Sequence, residues 1–345
     1  MIKEADVIII GAGPVGLFQV FELGMQGIKV IVVDSLPHIG GQCIELYPQK
    51  PIFDIPGIPQ IKSAKLVDNL IEQAAPFTPE YVLDNAVTHV EKTADGEHYL
   101  LTTEKGLLLK GKYIVIAAGG GSFEPVPLKI KGLEAYLNKQ VFYHVKDLEL
   151  HRGKDVVIVG GGDAAFDWAI ELQKVANSVL LIHRSENYRA AQHSVDKVLQ
   201  LCDNLEMQIL TGQVSALNEQ NGQLAQLSVT SKDGITRRVE LDQLLVFFGL
   251  SPKLSIIKQW GLDLFRNQVK VNTETFETSK MGIYAVGDIN YYPGKQKLIL
   301  SGFHEAALAA FAIKSKLTDG KRVPLLYSTT SPIVHDRLGV SVELY

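Results

Sequence analysis

The first apolar run of the chain ends in a glycine-rich turn. Val7–Ile10 precedes the sequence GAGPVG at 11–16, and apolar residues such as Phe18 and Leu23 follow it. This pattern predicts a strand, a tight turn and a helix. A second apolar run, 28–33, predicts the next strand, which ends at Asp34.

The residue types in this segment suit a bound dinucleotide. A Cβ at Gly11 or Gly13 would block the turn and the approach of a pyrophosphate to the helix N-terminus, and Gly16 lets the helix and the strand pack closely. Asp34 is placed to accept hydrogen bonds from a ribose diol. The segment therefore predicts a dinucleotide-binding unit, with a purely structural turn as the alternative.

The same pattern returns in the middle of the chain. Asp155–Val159 leads into the sequence GGGDAA at 160–165, a helix-like segment continues to Ala176, and 178–182 is again apolar. A second strand, turn, helix and strand are predicted there.

The second unit carries arginine where the first carries an acid. The sequence HRSENYR follows its second strand at 183–189. Guanidinium groups bind phosphate through forked, charge-assisted hydrogen bonds, whereas a carboxylate repels it. Arg184 and Arg189 therefore predict the 2′-phosphate of NADPH rather than NADH. The alternative is that both arginines only cap a strand end on a solvated face.

Two further apolar runs indicate that the first domain is interrupted. Tyr113–Ala118 precedes three glycines, and 281–288 reads MGIYAVGD, a buried strand ending in Gly-Asp. Asp288 can reach the ribityl hydroxyls of an FAD held by the first unit, or cap a following helix. We predict FAD-binding parts at 1–119 and 281–345, and an NADPH-binding domain at 120–280 inserted between them.

Composition narrows the functional classes. The 345 residues are 46% apolar, which suffices for two ordinary cores, and the net charge of −4 argues against a nucleic-acid partner. No apolar run approaches the roughly 18 residues of a membrane span, and no signal-peptide pattern is present. Cys43 and Cys202 cannot form a disulfide framework and suit a reducing compartment. A cytoplasmic protein without a membrane partner is predicted.

These motifs make the chain resemble the two-domain flavoproteins of the thioredoxin reductase type, and more closely the bacterial ferredoxin/flavodoxin–NADP reductases of that type. The resemblance covers nearly the whole chain. It implies an α/β fold of two Rossmann-like domains, one for FAD and one for NADPH. Besides the two turns, it is carried by Gly40-Gly41-Gln42, Leu46-Tyr47-Pro48 with Asp54, Asp167-Trp168-Ala169, Gly287-Asp288 and Ser328-Thr329-Thr330.

The cysteines distinguish the subfamilies. Thioredoxin reductases carry a CxxC before the second glycine turn, whereas 141–147 contains no sulfur here, and the partner that Cys43 would need in the glutathione reductase type is Pro48. The resemblance therefore implies hydride transfer from NADPH to FAD and then single electrons to ferredoxin or flavodoxin. It also implies a homodimer. No metal site is expected.

The resemblance also assigns site residues. Tyr47 and Tyr327 are the catalytic candidates, because an aromatic ring stacks on the flavin; a core tyrosine is the alternative for Tyr47. Contacts to FAD are assigned to Gly11, Gly13, Pro14, Gly16, Asp34, Gln42, Tyr47, Val87 through its backbone, Phe123, Asp288 and Thr329. Contacts to NADPH are assigned to Gly160, Gly162, Asp163, Ala165, His183, Arg184 and Arg189.

Two positions depart from the family pattern. Tyr327 stands where many relatives have a histidine, so a proton relay there is in doubt, and His335 is a candidate substitute from the partner subunit or by folding back. Ser185 stands where relatives commonly have a second arginine, which predicts weaker discrimination for the 2′-phosphate.

Carrier docking and the alternative functions complete the expectations. Lys295 and Lys297 are candidates for a positive patch that steers an acidic carrier, with two solvated surface lysines as the alternative. A flavin monooxygenase or a non-enzymatic redox sensor would use the same nucleotide folds.

Overall fold

The computed structural model divides into two compact units. One combines Met1–Ser122 with Pro252–Tyr345, and the other is Phe123–Ser251. The structure describes residues 2–145, 147–253, 255–320, 323–324 and 326–340, with the backbone alone for 122–125, 250–253 and 255.

Strands and helices are numbered in chain order. The strands are β1 (Ile2–Ile10), β2 (Val30–Val33), β3 (Pro51–Ile52), β4 (Ile61–Lys62), β5 (Glu80–Val82), β6 (Val87–Lys92), β7 (Tyr99–Thr103), β8 (Leu108–Ile116), β9 (Ser122–Pro125), β10 (Val141–Phe142), β11 (Asp155–Gly160), β12 (Ser178–His183), β13 (Gln208–Thr211), β14 (Gln213–Gln220), β15 (Gln223–Thr230), β16 (Thr236–Glu240), β17 (Gln243–Phe247), β18 (Leu250–Lys253), β19 (Leu264–Phe265), β20 (Gln268–Lys270), β21 (Ile283–Ala285) and β22 (Asn290–Tyr291). The α-helices are α1 (Pro14–Met25), α2 (Gln42–Glu45), α3 (Ser63–Ala74), α4 (Asp163–Leu172), α5 (Gln192–Asp203), α6 (Ser255–Gln259), α7 (Ile299–Leu317) and α8 (Pro332–Leu338).

A largely parallel sheet forms the centre of the first unit. Its strand order is β5-β2-β1-β8-β7-β6, and β21 also pairs with β8. The first part of β8 pairs antiparallel with β7, and its last part, Ile114–Ile116, pairs parallel with β21. The C-terminal ends of the parallel strands β1, β2, β8 and β21 therefore lie along the same edge of the sheet.

Alternation along the strands divides this unit into two layers. Ile8 and Ile10 face a core that contains Trp260, whereas Val7 and Ile9 face α1 and α7. Trp260 belongs to the segment 252–280, which was predicted to lie in the second domain but packs in the first unit. The predicted domain boundaries stay a prediction.

The second unit is a parallel sheet covered on both faces. Its strand order is β10-β17-β11-β12-β13, and the antiparallel sheet β14-β15-β16 lies against one face. Val156 and Ile158 pack against Phe166 of α4 and Val198 of α5, while Val157 and Val159 face the hairpin strands. Alternate residues of β11 thus serve two cores.

The observed elements refine the predicted ones. The strand expected at 7–10 begins at Ile2, because its first residues also pair with β8. The helix expected to reach Ala176 ends at Leu172. The amides of Val175 and Ala176 both donate to the Leu172 carbonyl, so the chain turns there towards β12. Within the described residues, no helix has the length and apolarity needed to cross a membrane.

Candidate functional site

The first glycine turn is shaped by close backbone contacts. Gly11 has φ +112°, and a Cβ on it would stand 2.4 Å from the carbonyl oxygen of Ala117. A Cβ on Gly16 would stand 1.9 Å from the Gly11 carbonyl oxygen. Both positions therefore require glycine for the fold itself, before any ligand is considered.

Gly13 is different, because no protein atom crowds it. The nearest atom to a Cβ built there is the Gly41 Cα, at 4.0 Å. Gly13 is the N-cap of α1 and Pro14 follows at the start of the helix, with no side chain capping the first amides. Free helix amides beside open space form a cradle for an anion such as a pyrophosphate.

Asp34 lies next to this turn, at the end of β2. Its Oδ2 accepts a hydrogen bond from the Ala12 amide at 2.6 Å, and its Oδ1 accepts one from the Leu36 amide at 2.8 Å. Burial raises the pKa of the Asp34 carboxyl, and these two hydrogen bonds oppose that rise. The carboxylate is thus fixed beside the cradle, at the place expected for a ribose.

Val87 lies at the same end of the site. It is buried at the start of β6, and two residues before it the amide of Asn85 donates to the Asp34 carbonyl at 2.9 Å. The structure therefore brings Val87 close in the fold to Asp34, as expected for an adenine contact.

The segment after β2 folds back onto the turn. The Gly40 amide donates to the Ala12 carbonyl at 2.9 Å, and Gly41, with φ +53°, stands against Gly13. Gln42 begins α2, and its side-chain amide nitrogen lies 3.3 Å from where a Cβ on Gly119 would be. Glycine-rich backbone thus surrounds Gln42 at the end of β8.

Tyr47 lies over Cys43 at the end of α2. Its hydroxyl accepts a hydrogen bond from the Cys43 thiol at 3.7 Å, and Cys43 is buried. Burial, followed by the nearby Cys43, raises the pKa of Tyr47 far above its ordinary value. The phenol therefore stays neutral, so this ring offers a flat, uncharged surface.

Asp288 comes to the same edge from β21. It is half-buried in the short turn after Ala285, and burial raises the pKa of its carboxyl while Lys295 and Lys297 lower it. A Cβ on the preceding residue, Gly287, would stand 3.3 Å from Val15 of α1, so the turn of Asp288 lies beside the first glycine turn. The fold thus gathers Gln42, Tyr47 and Asp288 from separate parts of the sequence.

The C-terminal candidates lie elsewhere. Tyr327 is 65% exposed, Thr329 is exposed in the following turn, and α8 then packs near the C-terminal end of α1, where Arg337 donates to the Met25 carbonyl. That end is opposite the glycine turn. His335 is held by the Ser328 carbonyl, 2.6 Å from its Nε2. Within one chain, the structure does not bring these residues to Tyr47.

Phe123 is the remaining flavin candidate. Its backbone belongs to β9, and its side chain lies outside the described part of the structure.

The second glycine turn, like the first, contains one glycine crowded by neighbouring atoms and one beside open space. A Cβ on Gly160 would stand 2.6 Å from the Phe247 carbonyl oxygen and 2.8 Å from the Ala165 Cβ, whereas nothing lies within 4 Å of one on Gly162. Gly162 is the N-cap of α4, and no side chain caps it. Asp163 opens the helix and accepts a hydrogen bond from the Ala191 amide at 2.7 Å.

The segment 183–189, here called the arginine loop, is hydrogen-bonded to this turn. The Arg189 amide donates to the Gly161 carbonyl at 2.7 Å, and the His183 ring fills the space beside Gly161. Burial lowers the pKa of His183, and the charges of Arg184 and Arg189 lower it further. The imidazole is therefore neutral near pH 7, and Arg184 and Arg189, both exposed, bring the positive charge beside the turn.

A buried charged cluster around Glu305 was not predicted from the sequence. Glu305 is fully buried in α7 and accepts hydrogen bonds from the backbone amide of Gly287 at 2.7 Å, the side-chain amide of Asn290 at 2.8 Å and the Tyr292 hydroxyl at 2.9 Å, and it pairs with Lys295. The sequence carries one sign that Glu305 is buried: it lies among the alanines that form the buried face of α7.

The ion pair between Lys295 and Glu305 contradicts the docking patch that was predicted from Lys295 and Lys297. The Lys295 side chain is only 3% exposed, because it is bound to Glu305. Lys295 therefore cannot belong to a surface patch for a carrier, and the prediction that it does so with Lys297 is wrong.

Comparison with known proteins places the chain among relatives. The family model described as "Pyridine nucleotide-disulphide oxidoreductase" matches residues 5–311. A "Ferredoxin--NADP reductase" of Colwellia psychrerythraea is 56% identical over 339 residues, covering 98% of this chain and 97% of the relative. A "Ferredoxin--NADP reductase 2" of Cupriavidus necator is 52% identical over 343 residues, covering 99% and 93%.

Solved structures support the fold alone. Thioredoxin reductase of T. acidophilum has a TM-score of 0.73 at 24% identity, over 92% of this chain and 99% of its own. The thioredoxin reductase of Lactococcus lactis gives 0.73 at 22% identity, over 91% and 99%. The predicted α/β fold of thioredoxin-reductase type, with two dinucleotide-binding domains, is confirmed.

Proposed function

Because the chain belongs to the pyridine nucleotide-disulphide oxidoreductase family, we propose that it is an FAD-dependent ferredoxin–NADP⁺ reductase. The observation that carries this proposal is its identity of 52–56% to reductases of that name over nearly the full length of both chains. The chain's two cysteines, Cys43 and Cys202, are both free and stand far apart in the sequence, so the chain has no CxxC pair.

The first unit has the features that FAD requires. The open space at Gly13 and the uncapped start of α1 accept the pyrophosphate, and Asp34 accepts hydrogen bonds from the ribose. Gln42 and Asp288 bind the ribityl and ring region, and the neutral Tyr47 stacks on the ring. When bound, FAD accepts a hydride from NADPH and passes electrons singly to a carrier, which nicotinamide alone does not do.

The second unit has the features that NADPH requires. Gly162 leaves room for the pyrophosphate at the start of α4, and the tie between Arg189 and the Gly161 carbonyl holds the arginine loop beside it. Arg184 and Arg189 attract the 2′-phosphate. No residue of either unit has to act as a general base, because the reaction transfers a hydride and electrons.

The carrier, the assembly and the location are finer parts of the proposal. The carrier is ferredoxin, with flavodoxin as the other candidate, and the protein works as a homodimer in the cytoplasm. A stacking role for Tyr327 then involves the site of a second copy, since α8 ties its segment to the far end of α1 within its own chain.

Anaerobic stopped-flow kinetics tests the function. The FAD-loaded protein is first mixed with NADPH, and the reduced protein is then mixed with oxidised ferredoxin. We expect rapid loss of the flavin absorbance and then rapid ferredoxin reduction. Rapid flavin reduction without transfer to ferredoxin or flavodoxin would favour a monooxygenase, and slow reduction by NADPH would favour a sensor.

A further inference from the structure

A cavity of about 320 Å³ opens on the second unit beside the arginine loop. Three separate segments form it: the end of β12, the start of β14 and the β15–β16 turn. Its lining residues are Arg184, Ser185, Gly212, Gln213, Thr230, Ser231 and Lys232.

The fold fixes these segments relative to one another. The Gly212 amide donates to the His183 carbonyl at 2.9 Å, which ties the start of β14 to the end of β12. Gln213 then pairs with Thr230 in the β14–β15 ladder. Lys232, two residues beyond Thr230, is thereby brought to the cavity that contains Arg184.

The charge of this cavity is positive. Arg184 and Lys232 are exposed, and neither has an ion-pair partner among the described residues. No carboxylate is among the lining residues, although Asp233 lies next to the cavity and accepts a hydrogen bond from the Ser231 hydroxyl. Two cations without ion-pair partners in the described part of the chain suit a doubly charged oxyanion.

We propose that Lys232 determines nucleotide specificity by binding the 2′-phosphate of NADPH together with Arg184. This proposal rests on the proposed function and deepens it. A phosphate monoester carries a charge of about −1.5 to −2 at pH 7, and of the two arginines assigned to it only Arg184 lines this cavity, so one guanidinium there does not neutralise it. Ser185 contributes a hydroxyl but no charge, and Lys232 supplies the second cation from a distant part of the sequence.

Binding of nucleotide fragments tests the proposal without turnover. Isothermal titration of the FAD-loaded protein with 2′,5′-ADP and with 5′-AMP compares ligands that differ only in the 2′-phosphate. Lys232→Gln should weaken 2′,5′-ADP binding about five- to tenfold, as expected for one exposed charge-assisted contact, and leave 5′-AMP binding unchanged. Lys139→Gln, at another exposed lysine of the same unit outside the cavity, should change neither.

A rescue variant separates charge from fold. Ser185→Arg added to Lys232→Gln should restore 2′,5′-ADP binding, because it returns the second cation to the cavity. Unchanged 2′,5′-ADP binding in Lys232→Gln, or equal loss for both ligands, would refute the role of Lys232. Failure of the wild-type protein to reduce its flavin with NADPH would instead count against the proposed function, since fragment binding does not depend on it.

Discussion

At the scale of single residues, glycines in one motif have different reasons to be glycine. Gly11 and Gly16 are required by neighbouring backbone, because a Cβ would collide with carbonyl oxygens at 2.4 and 1.9 Å. Gly13 has an ordinary extended conformation and open space around it. Its requirement therefore comes from the ligand rather than from the fold.

This distinction predicts that Gly13→Ala folds but binds FAD poorly. The free energy of unfolding of the apoprotein should change by less than about 1 kcal/mol, because the backbone angles of Gly13 suit alanine. FAD affinity should fall about tenfold or more, because the methyl group occupies the pyrophosphate cradle. Chemical denaturation of the apoprotein and flavin titration measure the two effects.

Gly16→Ala is the matched control for that experiment. It should destabilise the apoprotein itself, since its Cβ meets the Gly11 carbonyl. Unchanged FAD affinity in Gly13→Ala would show that the cradle is not where the pyrophosphate binds.

At the scale of elements, α7 positions the turn that carries Asp288. Glu305 projects from the middle of the helix and accepts the amide of Gly287, while Lys295 neutralises it. A buried carboxylate is tolerated only when it is paired and hydrogen-bonded, and Glu305 satisfies both conditions. The helix and the turn are therefore joined by a polar cluster inside an otherwise apolar layer.

Removing one partner of this cluster should be costly. Glu305→Ala leaves Lys295 as a buried unpaired charge, and we expect a loss of about 3–5 kcal/mol in the free energy of unfolding. Adding Lys295→Met should recover part of that loss, because no isolated charge then remains. Urea unfolding of each variant and of the double variant provides the values.

The exposed Glu72 of α3 gives the reference substitution. Glu72→Ala should change the free energy of unfolding by no more than about 0.5 kcal/mol. A loss in Glu305→Ala as small as this would mean that the cluster does not hold the turn.

At the scale of the whole molecule, the two cysteines take no part in a common relay. Cys43 is buried in the first unit and Cys202 belongs to the second. Burial raises the pKa of both thiols, which disfavours the reactive thiolate. In the proposed function, electrons therefore leave the protein without passing through a dithiol.

A variant without cysteine tests this directly. The double substitution Cys43→Ala and Cys202→Ala should keep NADPH-dependent ferredoxin reduction within about twofold of wild type, because thiol–disulfide exchange is not part of the path. Steady-state assays with matched flavin content measure the rate. Loss of ferredoxin reduction while NADPH still reduces the flavin would establish a thiol step.

The sequence alone was sufficient for both nucleotide units, because a strand, a glycine turn and a helix depend on local backbone geometry. The open space beside Gly13 and Gly162 lies where the two glycine motifs predicted it. It was also sufficient for the lack of a CxxC, which is a matter of counting. Even so, the pattern could not bound every element, as the early end of α4 illustrates.

Tertiary structure decided which charges are available, because this depends on residues distant in the sequence. Lys295 and Lys232 look alike in the sequence, yet Glu305 buries the first and the β15–β16 turn brings the second to Arg184. Likewise α8 holds the segment of Tyr327 near the far end of α1, which no local pattern reports. Burial and long-range contacts, rather than residue type, settle these positions.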